Sequence, residues 1–274
     1  MGTLYLVGTP IGNLEDITLR ALRILREVAL IAAEDTRRTR RLLAHYDIHT
    51  PLTSYYEHNK LSKLDVILGA LASGDVALVS EAGMPGLSDP GYELVKAALE
   101  AGHRVVPVPG PSALVTALVV SGLPTDACLY LGFLPRRAAE RRRLLAEVAA
   151  ERRTLVAFEA PHRLVETLAD LQAVLGDRRI AVARELTKVH EEVWRGTVSQ
   201  ALAHYQAQPP RGEITLVIAG ASEAEKARAR WEAEQVRTAV AALLKEGVPR
   251  REAIRRVARA SGWPRREVYK LVLE

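Results

Sequence analysis

Short apolar segments alternate with helical patterns along the first part of the chain, and this alternation constrains the fold more than any other feature. Strands are predicted at Leu4–Val7, Ala29–Ala33, Val76–Val79 and Arg104–Val108. Between them, apolar side chains recur at helical spacing, which predicts helices at 18–28, 36–44, 60–71 and 92–100. Such a β-α-β-α order is typical of an α/β fold with a mostly parallel sheet and helices on its faces.

A second set of strands and helices follows a region rich in Pro and Gly at 107–124. Strands are predicted at 129–131, 154–158, 180–183, 193–197 and 213–218, and helices at 140–149, 164–174 and 199–207. The Pro/Gly-rich region is therefore interpreted as a domain boundary. We expect two α/β domains, at 1–115 and 116–222.

The last part of the chain has a different composition and a basic charge. Residues 223–274 contain 13 Lys and Arg against 8 Asp and Glu, whereas residues 1–222 contain 25 of each. Pro249, Gly247, Gly262 and Pro264 punctuate three short helical patterns, which predict a small helix-turn-helix-like unit at 235–274. The basic positions that share helix faces are Arg251, Arg255 and Arg259 on the second helix and Arg266 and Lys270 on the third. These faces are interpreted as binding RNA phosphates or as merely solvated.

Composition and motifs exclude several classes of protein. Cys128 is the only cysteine, so neither an intramolecular disulfide nor a thiolate zinc cluster can form, and no metal site is predicted. The longest apolar stretch, Ala113–Val120, is too short to cross a bilayer, and the first residues do not resemble a secretory signal. A cytoplasmic protein without membrane contact is expected. The chain contains neither a Walker A motif nor a G-x-G-x-x-G motif after a strand.

Three loops rich in Gly and Pro each follow a predicted strand directly. They read GTPIGN (8–13), SEAGMPGLSDPG (80–91) and PVPGPSA (107–113). In a parallel sheet, all three would lie at the carboxyl ends of the strands, where open α/β sheets bind ligands. Together they predict a small-molecule pocket that needs bare backbone and rigid turns.

The same loops carry a family resemblance that extends over nearly all of residues 4–220. Its motifs are LYLVGTPIGNLEDITLRAL, AEDTRRTRRLL, YYEHN, LVSEAGMPGLSDPG, VVPVPGPSA, GFLPR, FEAPHRL, ARELTKVHEEVWRGT and GEITLVIAG, in this order. The chain resembles the ribosomal RNA small subunit methyltransferase I family, within the tetrapyrrole-methylase-like S-adenosylmethionine enzymes. EAGMPGLSDPG and RELTKVHE are the most specific of these motifs.

The resemblance implies a fold, a reaction and a cofactor site. The fold would be two α/β domains of the tetrapyrrole methylase type with S-adenosylmethionine in the cleft between them. The reaction would be methyl transfer to the ribose 2′-hydroxyl of one cytidine in small-subunit ribosomal RNA, free or in an assembled 30S subunit. Members of the wider superfamily are usually homodimers. By motif match, the cofactor would touch Pro10, Gly83, Met84, Gly86, Ser112, Ala113, Phe158, Leu186, Ile214 and Thr215.

A ribose hydroxyl is a poor nucleophile at neutral pH, so a proton acceptor is expected to assist it. The candidates are Asp35, His58, Glu81, Glu185 and Lys188. Each has a structural alternative, because Asp35 could pair with Arg37 or Arg38, His58 could cap a helix, and Lys188 could bind phosphate. The sequence does not choose among them.

The segment Glu34–Arg41, EDTRRTRR, contains four arginines and two carboxylates and has a net charge of +2. It follows the second predicted strand, so its start is expected at the sheet edge that holds the three loops. Arg37, Arg38, Arg40 and Arg41 are predicted to bind RNA, with Arg37 and one neighbour holding phosphates beside the target ribose. Pairing with acids elsewhere in the fold is the alternative.

Two other functions are compatible with parts of this pattern. A methylase of a small tetrapyrrole-like substrate would share the core, but it would need neither the arginine cluster nor the basic C-terminal unit. A non-enzymatic RNA-binding module would have no use for three ligand loops.

Overall fold

A computed structural model describes residues 2–222 and 231–273. The first part of the chain forms β1 (Thr3–Val7), α1 (Leu19–Glu27), β2 (Leu30–Ala33), α2 (Thr36–His45), β3 (Leu52–Ser54), α3 (Lys60–Ser73), β4 (Val76–Val79), α4 (Tyr92–Glu100) and β5 (Arg104–Val108). The second part forms α5 (Ala113–Val120), β6 (Cys128–Phe133), α6 (Ala138–Glu147), β7 (Thr154–Glu159), α7 (Leu164–Leu175), β8 (Arg179–Arg184), β9 (Glu192–Thr197), α8 (Val198–Ala207) and β10 (Ile214–Ile218). The last part forms α9 (Ala233–Lys245), α10 (Arg250–Ser261) and α11 (Arg265–Leu273).

The first domain contains a fully parallel sheet with the strand order β3-β2-β4-β1-β5. All four residues of the central strand β4 are buried, because helices cover both faces of the sheet. Val76 and Leu78 pack in the cluster that includes α3 and α4, whereas Ala77 and Val79 pack in the cluster that includes α1 and α2. The predicted parallel sheet is therefore confirmed for this domain.

The second domain contains a mixed sheet with the order β6-β7-β10-β8-β9. Only β6 and β7 are parallel, and the other three pairs are antiparallel. The segment between β8 and β9 spans only 185–191, which is too short for the crossover that parallel strands need. Helix α5, which contains the predicted domain boundary, packs on this second sheet through Ala117 and Leu118.

A buried ion-pair network fixes α6 to α7 in the second domain. Arg141 is 1% exposed and donates through Nε to Oδ2 of Asp170 at 2.7 Å. Its Nη1 also donates to the carbonyls of Pro135 and Arg136, at 3.3 Å each. Asp170 accepts a second hydrogen bond, from Nε of Arg142 at 2.5 Å. The network holds the loop after β6 in place.

The C-terminal helices pack around a small core of their own, as the sequence predicts. Its buried members are Val236, Val240, Ala253, Ile254, Val257 and Val268. Helix α10 ends at Gly262, whose φ of +68° is left-handed and favours glycine. Leu244 of α9 lies outside this core and is 37% exposed. In the described part of the chain, every helix is too short or too polar to span a bilayer.

Candidate functional site

The three Gly/Pro loops meet at the carboxyl ends of the neighbouring strands β4, β1 and β5. Thr9 and Gly83 exchange two backbone hydrogen bonds, at 2.9 and 3.0 Å, and the N–H of Gly8 donates to the carbonyl of Val108 at 3.0 Å. A Cβ on Gly8 would lie 2.8 Å from Cα of Gly110, so the first and third loops can approach only because both residues lack side chains. The predicted convergence of the loops is confirmed.

A cavity of about 460 Å³ lies between these loops and the second domain. Eight of the ten residues expected to touch a cofactor line it: Gly83, Met84, Ser112, Ala113, Phe158, Leu186, Ile214 and Thr215. Pro10 instead lines a neighbouring cavity. Gly86, which has a φ of +86° and lies on the same loop as Gly83, lines neither cavity. We call the 460 Å³ space the interdomain cavity. Its size is in the usual range for small-molecule sites.

Aromatic side chains form the second-domain wall of the interdomain cavity. The ring of Phe158 packs edge-on against Tyr130 and Phe133, with centroids 5.4 Å apart in each pair. Tyr130 also shares a 2.6 Å hydrogen bond with the hydroxyl of Ser88, which belongs to the first domain. Phe133 and Phe158 thus give part of this wall an apolar surface, and the Tyr130–Ser88 hydrogen bond joins the aromatic group to the second Gly/Pro loop.

Five carboxylates line the same cavity, and three of them, Glu34, Glu81 and Asp89, come from the first domain. Burial raises the pKa of Asp89 to about 7, and the nearby Glu34 adds to the rise. Burial also raises the pKa of Glu34, although its carboxylate accepts the N–H of Glu81 at 3.1 Å. Asp89 was missed by the sequence reasoning, which took the loop at 80–91 as a bare-backbone ligand loop and gave its carboxyl no role. These groups give the cavity a negative wall, which suits a cationic ligand.

A second cavity, of about 410 Å³, adjoins the first, and the two share Ile11, Glu81, Ala82 and Glu213 as lining residues. We call it the outer cavity. Its other lining residues are Thr9, Pro10, Gly12, Leu14, Arg38, Thr39, Arg41, Leu42, Ser80 and Lys188. The start of α2 therefore faces the loop side of the sheet, as the sequence predicts.

Only part of the arginine cluster lines the outer cavity. Arg38 and Arg41 do, and Nη1 of Arg38 pairs with Oε1 of Glu81 at 2.5 Å. The side chain of Arg37 is 87% exposed, and its Nε lies 3.8 Å from Oδ1 of Asp35. Arg40 is exposed on α2 and lines neither cavity.

The loop between β8 and β9 closes the outer cavity from the second domain. Nζ of Lys188 donates to Oε1 of Glu185 at 2.8 Å and to Oε2 of Glu213 at 3.0 Å. Thr187 accepts the N–H of Asn13 at 3.1 Å, which joins this loop to the first domain. Glu185 and Thr187 have φ values of +51° and +67°, a strained conformation for residues other than glycine that is common at functional sites.

The expected proton acceptors lie in very different surroundings. Asp35 caps α2, and the N–H of Arg37 that it accepts holds its pKa below the ordinary value. Burial would raise the pKa of Glu185, but hydrogen bonds from Lys188 and from the N–H of Glu213 outweigh it and lower the pKa. Burial would lower the pKa of Lys188, but its two carboxylate partners outweigh it and raise the pKa.

His58 lies apart from both cavities. It is exposed before α3, with its ring 6.3 Å from that of Tyr56. The described residues contain no cluster of three or more His, Cys, Asp or Glu side chains arranged to hold a metal ion.

The C-terminal unit presents basic side chains to solvent. Arg251, Arg255, Arg266 and Lys270 are all exposed. Arg255 pairs with Glu252 at 2.7 Å on its own helix. The side chain of Arg259 lies outside the described part of the chain.

Comparison with known proteins assigns both parts of the chain. Residues 3–202 match the family of Tetrapyrrole (Corrin/Porphyrin) Methylases, and residues 231–274 match the RsmI C-terminal HTH domain. A solved uroporphyrin III C-methyltransferase from Thermus thermophilus shares the fold, with a TM-score of 0.56 at 21% identity, over 79% of this chain and 97% of that one.

Curated relatives agree over greater lengths. A "Ribosomal RNA small subunit methyltransferase I" of Synechocystis is 49% identical over 100% of this chain and 98% of its own length. The protein of the same name in Bacillus subtilis is 46% identical over 98% of this chain and 93% of its own. That of Thermotoga maritima is 53% identical over 80% of this chain and 99% of its own. The chain belongs to the ribosomal RNA small subunit methyltransferase I family, a branch of the tetrapyrrole methylases.

Proposed function

We propose that this methyltransferase uses S-adenosylmethionine to methylate the ribose 2′-hydroxyl of a cytidine in small-subunit ribosomal RNA. The observation that carries the proposal is the pairing of two cavities: a bare-backbone cleft for a small cationic ligand, and an adjoining cavity with Arg38 and Arg41 at its wall. The names of the full-length relatives point to the same substrate.

The residues of the interdomain cavity fit S-adenosylmethionine in three respects. The cofactor has no phosphate, and the cavity offers glycine-rich backbone rather than a cluster of cations. Its sulfonium and amino groups are positive, and Glu34, Glu81 and Asp89 supply negative charge. Its adenine ring is flat and apolar on both faces, and Phe158 with Phe133 offers an aromatic wall.

When bound, S-adenosylmethionine supplies a methyl carbon that its sulfonium already activates for nucleophilic attack. The chain must therefore mainly align the ribose oxygen with that carbon, and such positioning can contribute about 7–11 kcal/mol. The shared rim of the two cavities, at Ile11, Glu81, Ala82 and Glu213, is where a ribose would lie between cofactor and phosphate contacts. Arg38 and Arg41 would hold the flanking phosphates.

Glu81 and Glu213 are the carboxylates at the shared rim where the ribose would lie. Asp89 is the carboxylate of the interdomain cavity whose pKa best suits it to take the hydroxyl proton. It lines the interdomain cavity beside Glu34 and Glu81, and its pKa of about 7 is near the value that suits a general base at neutral pH. Lys188 is a poor acceptor because its carboxylate partners keep it protonated. Asp35 and His58 line neither cavity.

The proposal includes a homodimer. Val115 and Val119 of α5 are 53% and 62% exposed, which leaves an apolar face for a second copy to cover. Sedimentation of the purified protein at micromolar concentration would give a dimer mass, and a monomer mass at all concentrations would contradict this part of the proposal.

A labelled methyl-transfer assay tests the reaction. We expect label from S-adenosylmethionine to enter small ribosomal subunits or free small-subunit RNA that lack this methylation, and to elute as 2′-O-methylcytidine after nuclease digestion. Transfer to a porphyrinoid instead would favour the tetrapyrrole alternative. RNA binding without any heat of S-adenosylmethionine binding in calorimetry would favour the non-enzymatic alternative.

A further inference from the structure

Lys188, Glu185 and Glu213 form a network of hydrogen bonds at the second-domain wall of the outer cavity. Binding a phosphate would not require so many fixed contacts. Lys188 donates to Glu185 and Glu213, and Glu185 in turn accepts the backbone N–H of Glu213 at 2.9 Å. The N–H of Glu185 donates to the carbonyl of Glu213 at 3.0 Å, which closes the network. The ammonium of Lys188 and the carboxylate of Glu213 are thus fixed relative to the end of β8 and the start of β10.

The network places one carboxylate and one ammonium side by side on the cavity wall. Lys188 and Glu213 both line the outer cavity, whereas Glu185 does not. An ammonium has three donor hydrogens, and two of those of Lys188 are used by Glu185 and Glu213. A carboxylate can accept about four hydrogen bonds, so Glu213 also keeps free acceptor capacity. The pair offers an acceptor beside a donor.

This order of acceptor and donor complements one pyrimidine and not the other. The Watson–Crick edge of cytosine presents a donor, the N4 amino group, beside an acceptor, N3. Uracil presents the reverse, an acceptor at O4 beside a donor at N3. Carboxylates commonly accept from the cytosine amino group, and RNA-binding proteins read unstacked bases at this edge.

We infer that the outer cavity holds the target nucleotide and that Glu213 and Lys188 select cytosine over uracil, with Glu213 accepting from N4 and Lys188 donating to N3. The inference rests on the proposed function. Two further features agree with it: the cavity volume of about 410 Å³ is within the range of small-molecule sites, and Pro10, Leu14 and Leu42 give the base an apolar surface. Arg38 and Arg41 lie on the α2 side of the same cavity, where the phosphates would be.

Glu185 has a supporting part in this arrangement. It holds Lys188 from behind without lining the cavity, so it acts as a positioning residue rather than as a contact to the base. Its strained φ of +51° aims the side chain back at Lys188 and at the N–H of Glu213.

The test compares cytidine and uridine at the target position. The wild-type protein first methylates small-subunit RNA, and the labelled nucleotide is mapped. RNA with that cytidine replaced by uridine is then the competing substrate, and kcat/KM is measured for both with the wild type and with Glu213→Gln. The matched control is Glu147→Gln, which removes the same charge from an exposed position at the end of α6.

We expect the wild type to prefer cytidine by about 5- to 150-fold, the range for one well-formed bidentate base contact. Glu213→Gln should reduce that ratio at least threefold, because an amide can turn to donate to O4 of uracil as readily as it accepts from N4 of cytosine. The preference that remains would come from Lys188, which can donate to N3 of cytosine but not to the N3–H of uracil. Glu147→Gln should keep the wild-type ratio. The affinity of Glu213→Gln for S-adenosylmethionine, measured by calorimetry, should stay within about twofold of that of the wild type.

Three results would overturn the inference while leaving the proposed function standing. They are equal wild-type rates on cytidine and uridine, an unchanged ratio in Glu213→Gln, and loss of cofactor binding in that variant. The last would place Glu213 in the cofactor site, since it also lines the interdomain cavity. Failure of the wild type to methylate any ribosomal RNA, despite binding the cofactor, would instead refute the proposed function.

Discussion

Replacing Asp89 by Asn tests whether the interdomain cavity disfavours the ionised carboxylate of Asp89 as strongly as the structure indicates. Burial raises the pKa of Asp89 to about 7 from an ordinary 3.8, and Glu34 and Glu81 add to the effect. The folded protein therefore retains a proton between about pH 4 and pH 7 that the unfolded chain releases. Because the folded state binds more protons in this window, stability falls as the pH rises through it. Asn has no titrating group, so the variant should not lose stability in this way as the pH rises.

The size of the effect follows from the difference between the two pKa values. A difference of about three units corresponds to roughly 4 kcal/mol at 1.36 kcal/mol per unit. Asp89 is only partly buried, and solvent screens its interactions with Glu34 and Glu81. We therefore expect about 1–2 kcal/mol to be recovered in the variant above pH 7, with little difference from the wild type near pH 4.

Urea unfolding followed by circular dichroism, without cofactor, measures this directly at several pH values from 4 to 8. The quantity to plot is the free energy of unfolding of Asp89→Asn minus that of the wild type, in which the titration of all other groups largely cancels. Asp65→Asn, an exposed change on α3, is the matched control and should give a flat difference. A difference for Asp89→Asn that is also flat within about 0.5 kcal/mol would refute the argument.

Four further changes test other parts of the structure. Gly83→Val should abolish S-adenosylmethionine binding in a folded protein, measured by calorimetry, because its φ of +78° disfavours a β-branched residue at the cavity wall. Asp170→Ala should lower the free energy of unfolding in urea by about 3–5 kcal/mol, since it leaves the buried guanidinium of Arg141 unpaired. Arg41→Lys should reduce methyl transfer to RNA at least tenfold at unchanged cofactor affinity, because lysine cannot bind phosphate bidentately. Deleting 235–274 should weaken RNA binding and flatten its salt dependence, measured by filter binding from about 50 to 200 mM salt, while cofactor affinity stays the same.

The loop side of the first domain could be predicted because it depends on local rules. Each of the three loops follows an apolar run, and parallel strands place all their carboxyl ends at one edge. Gly8 and Gly110 illustrate this. The first and third loops approach to a distance that excludes any Cβ, and the sequence has glycine at both positions.

The second domain was less accessible to sequence reasoning. Helix α5 is apolar on nearly every side, so its run of residues has no periodicity that separates a helix from a buried strand. In the first domain, the edge strand β3 was missed for another reason, because it spans only Leu52–Ser54 and is too short for any pattern. The antiparallel order of β8 and β9 could have been predicted, because the segment at 185–191 leaves no room for a crossover helix.

Asp89 was missed for a different reason. Its neighbours in sequence, Ser88 and Pro90, indicate a turn, and nothing local shows that the carboxyl is partly buried near the charge of Glu34, which comes from another loop. A pKa shift of this kind arises from burial and from charges that are distant in sequence. Sequence patterns therefore located the loop but not the carboxyl within it whose pKa the fold raises.

The arginine cluster shows how the fold changes a charge count. By sequence, Glu34 and Asp35 would neutralise two of the four arginines in the segment. In the structure, Asp35 accepts the N–H groups at the start of α2, and Glu34 accepts the N–H of Glu81. The close partner of Arg38 is instead Glu81, from the next Gly/Pro loop.

The consequence is a stronger site for anions than the net charge of the segment suggests. Within the described residues, Arg40 and Arg41 form no ion pair shorter than 4 Å, and Arg41 lines the outer cavity. An arginine without a carboxylate partner keeps all five donors for an incoming phosphate and has no ion pair to break first. Nη1 of Arg38 is held by Glu81, so a phosphate that takes this donor would displace a carboxylate at the rim shared by both cavities. In the proposed function, phosphate binding by Arg38 would in this way change the charge beside the reacting ribose through Glu81.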